Sequence, residues 1–135
     1  MKISSKISKD VTQKGKIALQ DTGKTFLSNL LLAQQAEHLT KGRFTSDLKR
    51  LAPDIPTDNE DYHLEVKQAS ESQAVLVAIA KKPGLNSYTG IVYTIPGKLP
   101  ATAMCRTNIP SQTPPQTPKF VQSMVMCPSG SAAIK

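Results

Sequence analysis

Few residues in this chain have types and spacings that could do chemistry. Asp21-Thr22-Gly23-Lys24-Thr25 matches the end of a phosphate-binding P-loop, in which the lysine and the hydroxyl would meet phosphate and a metal. That motif also needs a glycine five residues before Gly23 and a strand leading in. Position 18 is Ala18, and the preceding segment is basic with a helical pattern, so the segment is expected to open a helix. The two histidines, His38 and His63, fall in different elements without partners at metal-ligand spacing, whereas zinc needs three or four convergent ligands. There is no Gly-x-Ser-x-Gly elbow, and Ser129 and Ser131 stand in a terminal Pro-Ser-Gly-Ser tail with nothing to hold a base. Asp54, Asp58, Glu60 and Asp61 cluster in one loop but lack the ordered oxygens of an EF-hand, so they are expected to be solvated carboxylates. Neither catalysis nor a cofactor or metal is expected.

The two cysteines, Cys105 and Cys127, are a different matter. An even pair late in the chain, without Cys-x-x-Cys spacing, reads as one disulfide in an oxidising compartment, or as two buried thiols in a reducing one. Between them lies a proline-rich excursion, residues 108–118, that could hardly hold itself in place. Its Pro115-Gln116-Thr117-Pro118 matches P-x-x-P, but here it more plainly stiffens an exposed surface, and Thr113 and Thr117 are hydroxyls open to glycosylation if the protein is secreted.

A chain of 135 residues makes one small domain with one modest core. Aromatic residues are 4% and tryptophan is absent, so that core must come from Leu, Ile, Val and Ala. The longest apolar run, Ala74 to Ala80, is far short of the roughly 20 residues of a membrane-spanning helix, and the lysine-rich start is followed by no signal-peptide apolar region. The chain is expected to be soluble. Its net charge of +7 is lopsided: residues 1–50 hold ten Lys/Arg against four Asp/Glu, and residues 51–135 hold seven against six. Lys2, Lys6, Lys9, Lys14 and Lys16 are the candidate contacts for an anionic surface or an acidic protein, though without interleaved aromatics they suggest no specific nucleic acid. The alternative is a solvated, partly disordered leader.

The elements that must position these residues follow from periodicity. A helix is expected from about Asp21 to Thr40, with Asp21 or Thr22 as its cap and Gly42 as its left-handed stop. Phe26, Leu27, Leu30, Leu31, Ala33, Gln34 and Leu39 form its inward stripe, with Ser28, Asn29, Gln35 and Glu37 largely off it. Thr45 or Ser46 could cap a short turn that lowers Leu48 and Leu51 onto the core, anchored by Phe44. Pro53 and Pro56 then end any helix. Tyr62, Leu64 and Val66 alternate with polar residues as a half-buried strand, and Gln73 to Ala80 reads as a central one. Ser87 to Ile95 follows, with Gly90 marking a close approach, and Ala101 to Thr107 carries Cys105. Lys82-Pro83-Gly84 and Pro96-Gly97-Lys98 are turns, and Val121 to Met126 is a last short apolar stretch. The sum is an α+β fold: a helix packed on an antiparallel meander of four to five strands.

Several of these residues, in this order, resemble a known family. Ala33-Gln34-Gln35-Ala36, Gly42-Arg43-Phe44-Thr45, Asp47-Leu48 with Leu51, Leu85-Asn86-Ser87-Tyr88-Thr89-Gly90, and a late cysteine followed by Pro128 are similar to the cyanobacterial type IV pilin-like proteins of the G/H type. The resemblance covers about residues 21–130. It implies a pilin-like head, a subunit of a pilus-like surface filament or secretion pseudopilus, partnered by copies of itself or other pilin-like subunits at the cell surface or in the periplasm. In that family the helix continues N-terminally into an apolar half that anchors the subunit in the membrane. Here Met1-Lys2-Ile3-Ser4-Ser5-Lys6 stands in its place, so residues 1–20 are expected to be a basic leader or a truncated or replaced helix, and residues 21–135 the globular domain. The alternative role is a soluble adaptor that reuses the domain and docks through its basic N-terminus.

Overall fold

The computed structural model describes residues 2–122 and 124–134, with side chains from Thr22 onward. Helix α1 spans Lys2–Lys41. It therefore runs through the expected start at Asp21, and neither Asp21 nor Thr22 is a cap. The P-loop-like residues lie within a continuous helix. Glycine inside a helix costs about 1 kcal/mol relative to alanine, but Gly23 is needed for packing. A Cβ there would lie 2.7 Å from Cζ of Tyr62, so only glycine lets that ring sit against the helix. The helix stops as expected: Gly42 takes φ 74°, and its N–H donates to the His38 carbonyl at 2.8 Å. The short α2 (Leu48–Leu51) follows, capped by Asp47, whose carboxylate accepts from the Arg50 N–H. Thr45 supports this cap from behind, accepting from the Asp47 N–H, and does not itself cap the helix.

Strands β1 (Tyr62–Ala69), β2 (Gln73–Ala80), β3 (Tyr88–Ile95) and β4 (Lys98–Thr107) form consecutive antiparallel hairpins. β4 starts earlier than expected because Pro96 and Gly97, with φ 73° at the glycine, reverse the chain tightly enough to pair Ile95 with Lys98. Pro100 is tolerated in this strand because the fifth strand of the sheet pairs only with Met104–Thr107, leaving the outer side of residue 100 outside that ladder.

The end of the chain differs from expectation. Residues 119–126 do not join the main sheet; β5 (Lys119–Val121) and β6 (Met124–Met126) pair with each other as a separate hairpin. The fifth strand is β7 (Ser131–Ile134), giving the order β1-β2-β3-β4-β7. Gly130, at φ 87°, turns the chain after Pro128 back alongside β4. The Ser-Ala-Ala-Ile segment has little strand propensity of its own, so its pairing with β4 is imposed by tertiary context.

Successive strand residues point to opposite faces. One face carries Leu64, Ala74, Leu76, Ala78, Tyr88, Val92 and Met104, which join Leu27, Leu30, Leu31, Phe44 and Leu48 in the main core. Phe26 and Leu51 pack at its margin. A second close approach of helix and sheet is at Gly90, where a Cβ would lie 2.8 Å from Cδ1 of Leu31. The helix face differs from the expected stripe at two positions. Leu39 is 61% exposed, whereas Glu37 is buried. The inward line Leu27, Leu30, Leu31, Gln34 continues at helical spacing to Glu37 and His38, which puts Leu39 with Leu32 on the outside.

Leu30 is fully buried between α1 and the sheet. Leu30→Asp should therefore cost at least about 4 kcal/mol, through lost packing and a buried charge. Lys6→Ala and Lys9→Ala should leave the melting temperature within about 2 °C of the parent. Comparable destabilisation by the lysine and leucine changes, measured by thermal unfolding, would contradict this placement of the core.

Candidate interaction surfaces

The chemistry-capable residues do not converge. Among the described residues no group of three or more His, Cys, Asp or Glu could hold a metal ion. His38 stacks on Phe44, with ring centroids 4.6 Å apart, and its Nε2 lies 2.9 Å from the Glu71 carbonyl. His63 stands beside Asp58 at 3.4 Å. The acidic loop is neutralised locally: Lys81 reaches Asp58, and Lys82 reaches Asp61, both at 3.0 Å. The Lys81 ammonium beside Asp58 holds that carboxyl below its ordinary range. Burial pushes the Tyr62 phenol far up, and its hydroxyl donates to the Asn86 carbonyl at 2.9 Å.

Polar side chains on the last turns of α1 instead hold the chain that follows it. Gln34, fully buried, donates from Nε2 to the Thr45 carbonyl at 2.6 Å and accepts from the Thr45 N–H at 3.0 Å. Gln35 donates to the Pro100 carbonyl at 2.5 Å. Glu37 pairs with Arg50 of α2, and Lys41 lies 3.9 Å from the same carboxylate. The hydrogen bond from Arg50 holds the Glu37 carboxyl below its ordinary value of 4.5, against the opposing pull of desolvation. This clamp explains Ala33-Gln34-Gln35-Ala36 followed by Gly42-Arg43-Phe44-Thr45. The sequence placed Gln34 inward but carried no sign of its partner eleven residues on.

The opposite face of the sheet is covered by other means. Val75, Val77, Thr89, Ile91 and Cys105 are all buried there. The disulfide Cys105–Cys127 is formed, and the intervening chain folds over this face as a lobe. Thr89 donates to the Pro115 carbonyl at 2.5 Å. Ser87 donates to the Ser111 carbonyl at 2.6 Å while accepting from the Ala80 N–H, and Asn86 donates to the Thr107 carbonyl at 2.6 Å. Pro118 is buried, and Phe120 meets Tyr93 edge to face at 4.8 Å. The proline-rich excursion is thus a cover as well as an exposed surface. Leu85-Asn86-Ser87-Tyr88-Thr89-Gly90 is the segment that joins both layers: Tyr88 and Gly90 receive the helix, while Asn86, Ser87 and Thr89 hold β4 and the lobe.

Among the described residues, besides the single exposed side chains Leu99 and Ile109, apolar residues are exposed in two groups. Phe120, Val121, Met124 and Met126 of the β5–β6 hairpin are exposed. On the helix, Thr25, Asn29, Leu32, Ala36 and Leu39 form an exposed outward line without a charged residue. Lys2, Lys6, Lys9, Lys14 and Lys16 belong to the first half of α1, and their side chains lie outside the described residues.

A family model described as type IV pilin-like G and H matches residues 20–128. That range takes in the second half of α1, the four hairpin strands and the disulfide-closed lobe, and ends before β7. No curated protein and no solved structure matches the chain significantly.

Because its carboxyl is held low in the folded state, Glu37 stabilises the fold fully above its ordinary value of 4.5 and loses that contribution as pH falls through the lowered one. Glu37→Gln should be less stable than the parent near neutrality, and the difference should shrink on acidification to about pH 3. Urea unfolding at the two pH values measures it; a constant difference would mean the ion pair contributes nothing.

Proposed function

The chain belongs to the type IV pilin-like G and H family, and on that premise we propose that it is a non-catalytic structural subunit of a type IV pilus-like surface filament or of a secretion pseudopilus. In this reading α1 is the assembly element, and the sheet with its lobe is the displayed head. The partners are copies of the chain or other pilin-like subunits. The observation that carries the reading is the outward line of α1, where Leu32 is 56% and Leu39 61% exposed and no charge intervenes. A helix face built for water normally carries charged residues. This face is instead suited to packing on another helix, and full burial of each leucine would contribute about 1.5–3 kcal/mol. The disulfide fits an oxidising, extracytoplasmic compartment, which would be the cell surface or the periplasm. Among the described residues no helix is long and apolar enough to cross a membrane.

The concentration of basic residues in the first fifty positions favours a second reading, an adaptor that docks through Lys2, Lys6, Lys9, Lys14 and Lys16 on an anionic surface or acidic protein. Such binding would be electrostatic and would fall steeply with salt.

Two measurements separate the readings. Leu32→Lys combined with Leu39→Lys should abolish incorporation into filaments sheared from the producing cells while leaving the thermal unfolding of the purified chain unchanged. Undiminished incorporation would overturn the filament reading as argued from this face. Anionic vesicles should bind the whole chain weakly and only at low salt. Saturable, salt-resistant binding that disappears when the chain begins at Asp21 would favour the adaptor.

A further inference from the structure

We propose that the Cys105–Cys127 disulfide is a redox-released clasp on a hinged flap, residues 108–126, rather than a staple of the helix-and-sheet layer. The topology separates these two roles. The ends of the flap are already held together by backbone bonds that need no sulfur: Thr107 pairs with Ser131 in the β4–β7 ladder, and the Asn108 N–H donates to the Gly130 carbonyl at 2.9 Å. The main core lies on the other face of the sheet and contains neither cysteine. Breaking the disulfide therefore leaves both the hinge and the main core in place.

The grip of the flap itself is modest. Near the hinge it is held by the hydrogen bonds at Ser111 and Pro115. At the far end it has the Phe120–Tyr93 contact, while Lys119, Phe120, Val121, Met124 and Met126 of the hairpin are exposed. A hollow of about 330 Å³ remains between flap and sheet, bordered by Lys67, Val75, Val77, Pro114 and Pro115. The disulfide is the covalent hold on this flap: it ties Cys127, directly after β6, to Cys105 on β4, two residues before the hinge, and so fixes the base of the β5–β6 hairpin against the sheet.

Access to the two sulfurs is unequal. Cys105 is completely buried and Cys127 is partly exposed, so a thiolate of a dithiol reductant attacks Sγ of Cys127. The bond between the two Sγ atoms breaks, a mixed disulfide forms at Cys127, and Cys105 leaves as a thiolate that takes up a proton. The second thiolate of the reductant then closes on the mixed disulfide and releases Cys127, which is also protonated. Two electrons and two protons have passed to the protein, and the dithiol has become a cyclic disulfide. The flap can then swing on its hinge, uncovering Val75, Val77 and Ile91. Because β7 stays paired, Cys127 remains tethered near Cys105, and the reverse exchange with an oxidised dithiol closes the clasp again.

The test reduces the folded chain in place with dithiothreitol and follows amide exchange by mass spectrometry, together with the fluorescence of an apolar-surface dye. Exchange across 108–126 should accelerate at least about tenfold and dye fluorescence should rise, while the amides of α1 from Leu27 to Gln34 and of β2 keep their rates. The double variant Cys105→Ser/Cys127→Ser should reproduce this pattern without reductant. Acceleration that spreads evenly through α1 and β2 would make the disulfide a staple of the whole fold and overturn the proposal. So would unchanged exchange across 108–126, since hydrogen bonds alone would then hold the flap.

Discussion

The seat of Leu31 on Gly90 sets the distance between helix and sheet, and the rest of the head is arranged around that distance. A side chain at position 90 would overlap Leu31, and one at position 23 would overlap the Tyr62 ring, so the helix comes close to the sheet at both points only because both residues are glycine. With the helix this low, one further turn brings Gln34 within reach of Thr45, Gln35 within reach of Pro100, and His38 against Phe44. Raising the helix by the width of a methyl group would open the core and stretch these bonds together. Close packing and polar satisfaction are thus one constraint here.

The two faces of the sheet are stabilised by different physics. The helix face buries leucines and tyrosines in a continuous core, where the gain grows with the apolar area removed from water. The far face has only a short row of Val75, Val77 and Ile91, too few to attract a second helix. It is covered by a segment whose prolines and disulfide restrict the unfolded chain, so less conformational entropy is lost when the lobe settles. Closing a loop of this length is worth about 3 kcal/mol in the chain-entropy model, and because the main core contains neither cysteine that gain falls on the lobe.

Among the described residues, the ion pairs around β1 fix a loop and a strand edge. Asp58 and Lys81 hold the approach to β1, Asp61 and Lys82 hold the same corner, and Glu65 meets Lys67 along the strand. Exposed pairs of this kind are worth little individually, and none is drawn together into a cleft. The exposed apolar residues on the outer helix line and the β5–β6 hairpin are accordingly the parts of the molecule not explained by the folding of one chain. Those two surfaces are open to contact from outside the chain; the interior is concerned with shape.

Local pattern alone was enough for much of this architecture. The alternation of Tyr62, Leu64 and Val66, the continuous apolar run of β2, the turn glycines at 84 and 97, the close approach at Gly90 and the stop at Gly42 all depend on neighbours in the chain, so they were legible there. The pairing of Cys105 with Cys127 was legible too, because no other cysteine competes. What depends on distant partners was not. That Gly23 makes room for the Tyr62 ring has no sign in its neighbours, and Glu37, expected off the inward stripe, is buried because Arg50 stands beside it. Leu39 carried the same hydrophobicity as Leu30, yet only the angle at which the helix meets the sheet decided which was buried. β7 has almost no strand signal in Ser-Ala-Ala-Ile; its pairing exists because Gly130 returns the chain to the open edge of β4. Sequence determined the elements whose energetics are local; tertiary structure decided β7 and, for the rest, which face, which edge and which partner, since those energies exist only once distant segments meet.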